Sequence, residues 1–248
     1  MVDLKGKTAI ITGASSGIGA ALALEFSRRG AHVTLAARRL ERLEEVSRKC
    51  PGEVFALAAD LTREADRGRI VQQTLDRWGR IDVLVNNAGL GIYGDFLAAS
   101  EEDWRRIFEV NLFALVFLTR AVLPHMESRG GGMIVNMASI GGLIAHSDKV
   151  TPYVASKHAV VGFSRGLARD LAGSGIRVLA VCPHLTDTEF FSTSPGAQEM
   201  APVVEKFKSY MDRPEDVARG VLEQLDSDRL IIFPTGKPAR AYEKQKDI

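Results

Sequence analysis

Seven short runs of aliphatic and β-branched residues recur along the chain, separated by stretches too long to be hairpin turns: TAIIT (8–12), HVTLAA (32–37), VFALAA (54–59), IDVLVN (81–86), MIVNMAS (133–139), IRVLAVC (176–182) and LIIF (230–233). Runs of this length and composition read as strands. Patterns of helical period fill most of the intervals, around residues 17–29, 39–49, 63–78, 101–129, 152–172 and 214–226. A strand that returns through a helix pairs in parallel by a right-handed crossover. The expectation is therefore an α/β fold, one doubly wound parallel sheet of seven strands with helices on both faces. No boundary or internal repeat divides the chain, so residues 1–248 are expected to form a single domain.

Two connections are too long for that scheme. One is IGGLIAHSDKVT (140–151); the other runs from 183 to 213, is interrupted by proline and carries Phe190, Phe191, Met200, Phe207 and Tyr210. Long excursions after parallel strands are where open α/β sheets place ligand sites and lids, so a lid is expected over 184–213. Those aromatics equally suit an excursion that merely pins itself to the core.

Composition narrows the partners. A net charge of +1 provides no field for nucleic acid or an anionic membrane. The apolar stretch LFALVFL (112–118) is too short to span a bilayer. The N-terminus enters a strand pattern without a leader-like apolar segment, and Cys50 and Cys182 show neither disulfide nor metal spacing. A cytoplasmic protein with free thiols and no metal is expected. His146 as a zinc ligand is the weaker thought, because no carboxylate or thiol cluster completes such a site.

The first strand runs straight into TGASSGIG, where Gly13, Gly17 and Gly19 open a helix. Glycines permit a tight turn and close backbone approach, and free amides at a helix N-terminus attract a diphosphate. A P-loop is excluded because no GK[ST] follows. This is the Rossmann-like arrangement for a dinucleotide. At the end of the second strand, where a carboxylate would take a ribose 2'-hydroxyl, the chain has Arg38 and Arg39. Two cations suit a 2'-phosphate, so NADP(H) is favoured over NAD(H), with Arg38 the main contact.

PYVASKH (152–158) places Tyr153 and Lys157 one turn apart on a helix that Thr151 would cap and Pro152 would open. The helix dipole and a neighbouring ammonium both favour phenolate, which would draw the Tyr153 pKa down and suit it to proton transfer.

TGASSGIG, NNAG (86–89), Asn111 in EVNLF, Ser139 in NMAS and YVASK (153–157) occur in an order that resembles the short-chain dehydrogenase/reductase family over residues 5 to 235. The resemblance implies an oxidoreductase with Ser139 on the substrate carbonyl oxygen, Tyr153 as acid/base, Lys157 on the nicotinamide ribose and Asn111 supporting a water relay. It also implies cofactor contacts at Ser15, Ser16, Ile18, Asp60, Leu61, Asn87, Ala88, Gly89, Pro183, Thr186 and Thr188. Tyr93, Leu143, His184 and Phe190 are the candidate substrate contacts. Pro183-His184 departs from the family's usual Pro-Gly, and TGKPARAYEKQKDI departs from its usual glycine-rich ending. A homodimer through helices 101–129 and 152–172 is expected, with a homotetramer as the alternative. A non-catalytic NADP(H) sensor is the second functional reading. A nucleotide-sugar epimerase or dehydratase is the third, disfavoured because the C-terminal portion is short.

Overall fold

The structure is a computed structural model that describes residues 2–145 and 147–245; His146 lies outside the described residues. Strands β1 (Thr8–Thr12), β2 (His32–Ala37), β3 (Val54–Ala58), β4 (Val83–Asn86), β5 (Gly132–Met137), β6 (Ile176–Val181) and β7 (Ile231–Ile232) form one sheet. Its order is β3-β2-β1-β4-β5-β6-β7 and every pairing is parallel. The chain leaves β1 toward β2 and β3 on one side and returns through β4 on the other. This reversal between β1 and β4 opens a crevice beyond their C-terminal ends.

Alternation along β1 explains the two layers. Ala9 and Ile11 face a core with Phe26 and Leu22 of α1 (Gly17–Arg28) and Val221 and Leu222 of α8 (Pro214–Glu223). Ile10 faces the other core, with Ile70 of α3 (Glu64–Trp78) and Leu118 and Val122 of α5 (Ala114–Glu127). The remaining outer helices include α2 (Leu40–Lys49) and α6 (Thr151–Asp170). Asn136 ties the second layer to the sheet, accepting from Asn86 Nδ2 at 2.9 Å and donating to Ser164 of α6 at 2.9 Å. These groups are buried, so each needs its partner.

The structure departs locally from the sequence pattern. The expected helix 101–129 is α4 (Glu101–Phe108), a π-helical turn at Glu109–Phe113 and then α5. Thr151 is the first residue of α6 rather than its cap; Val150 precedes the helix and Pro152 sits in its first turn. The 183–213 excursion contains α7 (Ala197–Phe207), and the C-terminal segment forms α9 (Gly236–Gln245).

Candidate active site

The glycine turn is shaped by close approaches. A Cβ on Gly13 would lie 2.8 Å from Ala88 Cα, and one on Gly17 would lie 2.9 Å from Thr188 Cγ2. Gly13 and Gly17 also have φ values of 61° and 55°, which favour glycine. Thr12 Oγ1 accepts from the amides of Asn87 and Ala88 at 2.9 and 3.0 Å, while Asn87 Nδ2 donates to the Thr12 carbonyl at 2.9 Å. These bonds lock the ends of β1 and β4 together. Ser16, which caps α1, makes no side-chain bond to the helix, so the first amides of α1 are left for a ligand anion. The residues therefore fit a dinucleotide's diphosphate.

One cavity of about 630 Å³ runs from this turn to α6. At its adenosine end stand Arg38, Arg39, Asp60 and Leu61. Burial acts to raise the Asp60 carboxyl. Two bonds from Thr62, at 2.8 and 3.0 Å, together with the charges of Arg38 and Arg63, outweigh it and hold the group below the usual carboxylate range. Asp60 is thus a fixed acceptor beside the cations.

At the other end, β5 delivers Ser139 and the first turn of α6 delivers Tyr153 and Lys157 to the same wall. Ser139 Oγ accepts from the Gly141 amide at 3.0 Å, which turns the chain into a short 3-10 helix. Lys157 is buried; its Nζ donates to the Met137 carbonyl at 2.8 Å and lies 5.8 Å from the centre of the Tyr153 ring. Burial lowers the Lys157 ammonium to about 8, with Cys182 opposing. Burial also pushes the Tyr153 phenol up to about 12; the Ser139 hydrogen bond pulls against that rise and the Cys182 thiol adds to it. This reverses the downward shift expected from the sequence. Desolvation outweighs the helix dipole and the ammonium, which is itself easily deprotonated.

Of the candidate catalytic, cofactor and substrate residues, all but three line this cavity. Gly19 lies behind the turn, where a Cβ would strike the Gly13 carbonyl. Leu143, expected to contact substrate, instead packs against the cluster containing Leu115, Val160, Val161 and Cys182, because the 3-10 turn before it rotates it inward. Asn111 sits behind the wall, accepting from the Leu90 amide at 2.8 Å and donating to the Leu90 carbonyl at 2.9 Å and to Ser156 Oγ at 3.0 Å. Its amide is spent on these neighbours, and the π-helical turn is what presents it.

Aromatic rings crowd the end of the cavity beside Tyr153. Phe190 meets Tyr153 edge-on at 5.7 Å and Phe191 stacks on Tyr93 at 6.2 Å. Burial raises the Tyr93 phenol strongly, the nearby Tyr153 adds to that, and Ser194 opposes it. His184 lies edge-on to Tyr210 at 6.0 Å. Arg106, Val110 and Ser194 also line the cavity and were not expected. Arg106 and Val110 share a helical face, but nothing in their spacing says that the face borders the crevice.

The short chain dehydrogenase family profile matches residues 7–199. The chain is 34% identical to a 3-oxoacyl-(acyl-carrier-protein) reductase of Thermotoga maritima, over 88% of this chain and 90% of that one. It is 37% identical to a meso-2,3-butanediol dehydrogenase of Serratia marcescens, over 90% and 88%. The crystal structure of a short chain dehydrogenase/reductase from Burkholderia phymatum in complex with NAD superposes with a TM-score of 0.88 at 28% identity, covering 98% of this chain and 93% of that one.

Proposed function

The chain belongs to the short-chain dehydrogenase/reductase family, and from that premise we propose that it is an NADP(H)-dependent carbonyl reductase or, in reverse, an alcohol dehydrogenase. That it is a nicotinamide-dependent oxidoreductase of carbonyl or alcohol substrates follows from the family. The finer reading rests on one observation: a single cavity joins a glycine-built diphosphate seat, a cationic rim and the Ser139, Tyr153 and Lys157 side chains.

When bound, the nicotinamide would supply or accept the hydride. The chain supplies the rest. Ser139 and Tyr153 direct hydroxyls at the carbonyl oxygen, where negative charge builds during reduction, so their bonds strengthen in the transition state. Tyr153 then gives its proton to that oxygen. Lys157 stabilises the phenolate left behind, and the ammonium hydrogens not used by Met137 are available to the nicotinamide ribose. Asn111 holds Leu90 and Ser156 in place, and Thr186 and Thr188 would meet the carboxamide. Tyr93, His184 and Phe190 shape a pocket suited to an apolar ketone or aldehyde, or to an acyl chain bearing a 3-oxo group.

NADP(H) is favoured because two arginines follow β2 directly, with no carboxylate at that position. Arg38→Ala is expected to weaken NADPH by about 10-fold or more, from the loss of a charge-assisted phosphate contact, and NADH far less. Fluorescence titration of both cofactors checks this, and equal weakening of the two would refute the assignment.

The pH dependence has a definite sign. Reduction needs the neutral phenol, so it holds through the neutral range and falls as pH rises through the Tyr153 pKa; oxidation needs phenolate and rises with pH. Initial rates in both directions between pH 6 and pH 10 measure it: below the Tyr153 pKa reduction stays level across this window while oxidation climbs. A reduction rate that climbed with pH would contradict the role of Tyr153.

We also place the protein in the cytoplasm, as one domain that pairs with a second copy. Helices α4 and α5 and the π-helical turn between them form a span, Glu101–Glu127, that is long and apolar enough by length and composition to cross a membrane. Phe113 and Phe117 stack at 6.2 Å on it and are about 40% exposed. Pairing with the same face of another copy would cover them, giving a homodimer; a homotetramer would need a second face.

A further inference from the structure

At the rim of the adenosine end, a lid residue reaches back across the cavity. Arg39 donates through Nη1 and Nη2 to Glu189 Oε2 at 3.2 and 3.3 Å, and Nη2 also meets the hydroxyls of Ser15 and Ser16, each at 3.2 Å. Arg39 stands just before α2, the serines lie in the glycine turn, and Glu189 lies between Thr188 and Phe190. A guanidinium flanked by two hydroxyls makes a seat for an anion. Here the lid's own carboxylate fills it.

We propose that Glu189 is a determinant of coenzyme choice: its carboxylate occupies Arg39 until a 2'-phosphate displaces it, so NADP(H) releases this end of the lid and NAD(H) does not. The inference rests on the NADP(H) reading above. The Arg39 and Glu189 side chains are 46% and 43% exposed, so their ion pair is weak and exchangeable. A phosphate between Arg38 and Arg39 carries more charge and more acceptor oxygens than one carboxylate and wins the exchange. A ribose 2'-hydroxyl carries no charge and leaves the pair intact.

The far end of the lid is held more firmly. Asp212 is buried; it accepts from Thr235 Oγ1 at 2.7 Å and pairs with Lys237 at 3.0 Å. Its amide donates to the Leu185 carbonyl and its carbonyl accepts from the Asp187 amide, both at 2.9 Å. When the exposed clasp opens, the segment therefore gives at Glu189 and stays fixed at Asp212. Phe190, next in sequence, contacts Tyr153, so exchange at the phosphate seat reaches the wall of the substrate pocket.

Calorimetric binding of adenosine 2',5'-bisphosphate and of 5'-AMP to the wild type, Glu189→Gln and Arg38→Ala tests this. Glu189→Gln is expected to tighten the bisphosphate by about two- to five-fold while leaving 5'-AMP unchanged, with the gain shrinking as salt is raised. Equal tightening of both ligands, no change, or a weakened bisphosphate would each overturn the proposal. Failure of the underlying reading shows separately: if Arg38→Ala weakens both ligands equally, there is no 2'-phosphate seat and the proposal falls with it. If Arg38→Ala is selective for the bisphosphate and Glu189→Gln is silent, the clasp alone is overturned.

Discussion

Tyr153→Phe is expected to bind NADPH as the wild type does while losing about 10²–10⁴-fold in turnover, the usual worth of a positioned acid or base. The substitution removes one oxygen and keeps the ring that meets Phe190, so the wall of the cavity is preserved. The phenol shares the cavity wall with Ser139, which hydrogen-bonds it, and with Lys157, whose Nζ lies 5.8 Å from the ring centre. With the phenol pushed up to about 12 by burial, the neutral acid dominates at neutral pH and is ready for reduction. Single-turnover oxidation of bound NADPH separates chemistry from binding. A variant that binds poorly but turns over normally would move the acid role elsewhere.

Lys157→Met should change activity and stability in opposite directions. Activity is expected to fall by about 100-fold or more, because the ammonium that stabilises the phenolate is gone. Stability at pH 7 is expected to rise. Burial lowers the Lys157 ammonium from 10.5 to about 8, so below pH 8 the native state carries a charge it would rather lose, a cost on the order of 3 kcal/mol. The Met137 carbonyl loses its partner, which takes back about 1 kcal/mol. The balance of about 2 kcal/mol should raise Tm by roughly 4–8 °C. For the wild type, stability should rise as pH climbs from about 8 toward 10.5, because the native lysine releases its proton before the unfolded one does. Thermal melts of both proteins at pH 7 and pH 9.5 test the signs; destabilisation by the variant at pH 7 would show that the Met137 bond outweighs desolvation.

The sheet was readable because aliphatic runs and turn glycines carry their own period and spacing, and all seven strands lie where those runs are. The site was readable where a residue is bound to a short motif, as with Gly13 after β1 or Tyr153 and Lys157 one turn apart. It was not readable where orientation depends on packing. The π-helical turn at Glu109–Phe113 leaves the helical pattern nearly intact in sequence, yet it sets Asn111 behind the wall rather than on it. Leu143 turned inward because of a 3-10 turn with no strong signature. The sign of the Tyr153 shift required knowing how deeply the phenol is buried, which a helix position does not reveal. The clasp between Arg39 and Glu189 joins residues 150 positions apart, so no local pattern announces it.

The proposed chemistry is hydride transfer between NADP(H) and a carbonyl carbon in this cavity. The direct measurement is mass spectrometry of alcohols formed when the wild type is incubated with NADPH deuterated at nicotinamide C4, both stereoisomers in parallel, and a panel of apolar ketones, aldehydes and 3-oxoacyl thioesters. An alcohol carrying one deuterium at the carbinol carbon is expected from one stereoisomer and none from the other, with the label lost in Tyr153→Phe. Tight NADPH binding with no labelled alcohol from any carbonyl would contradict it.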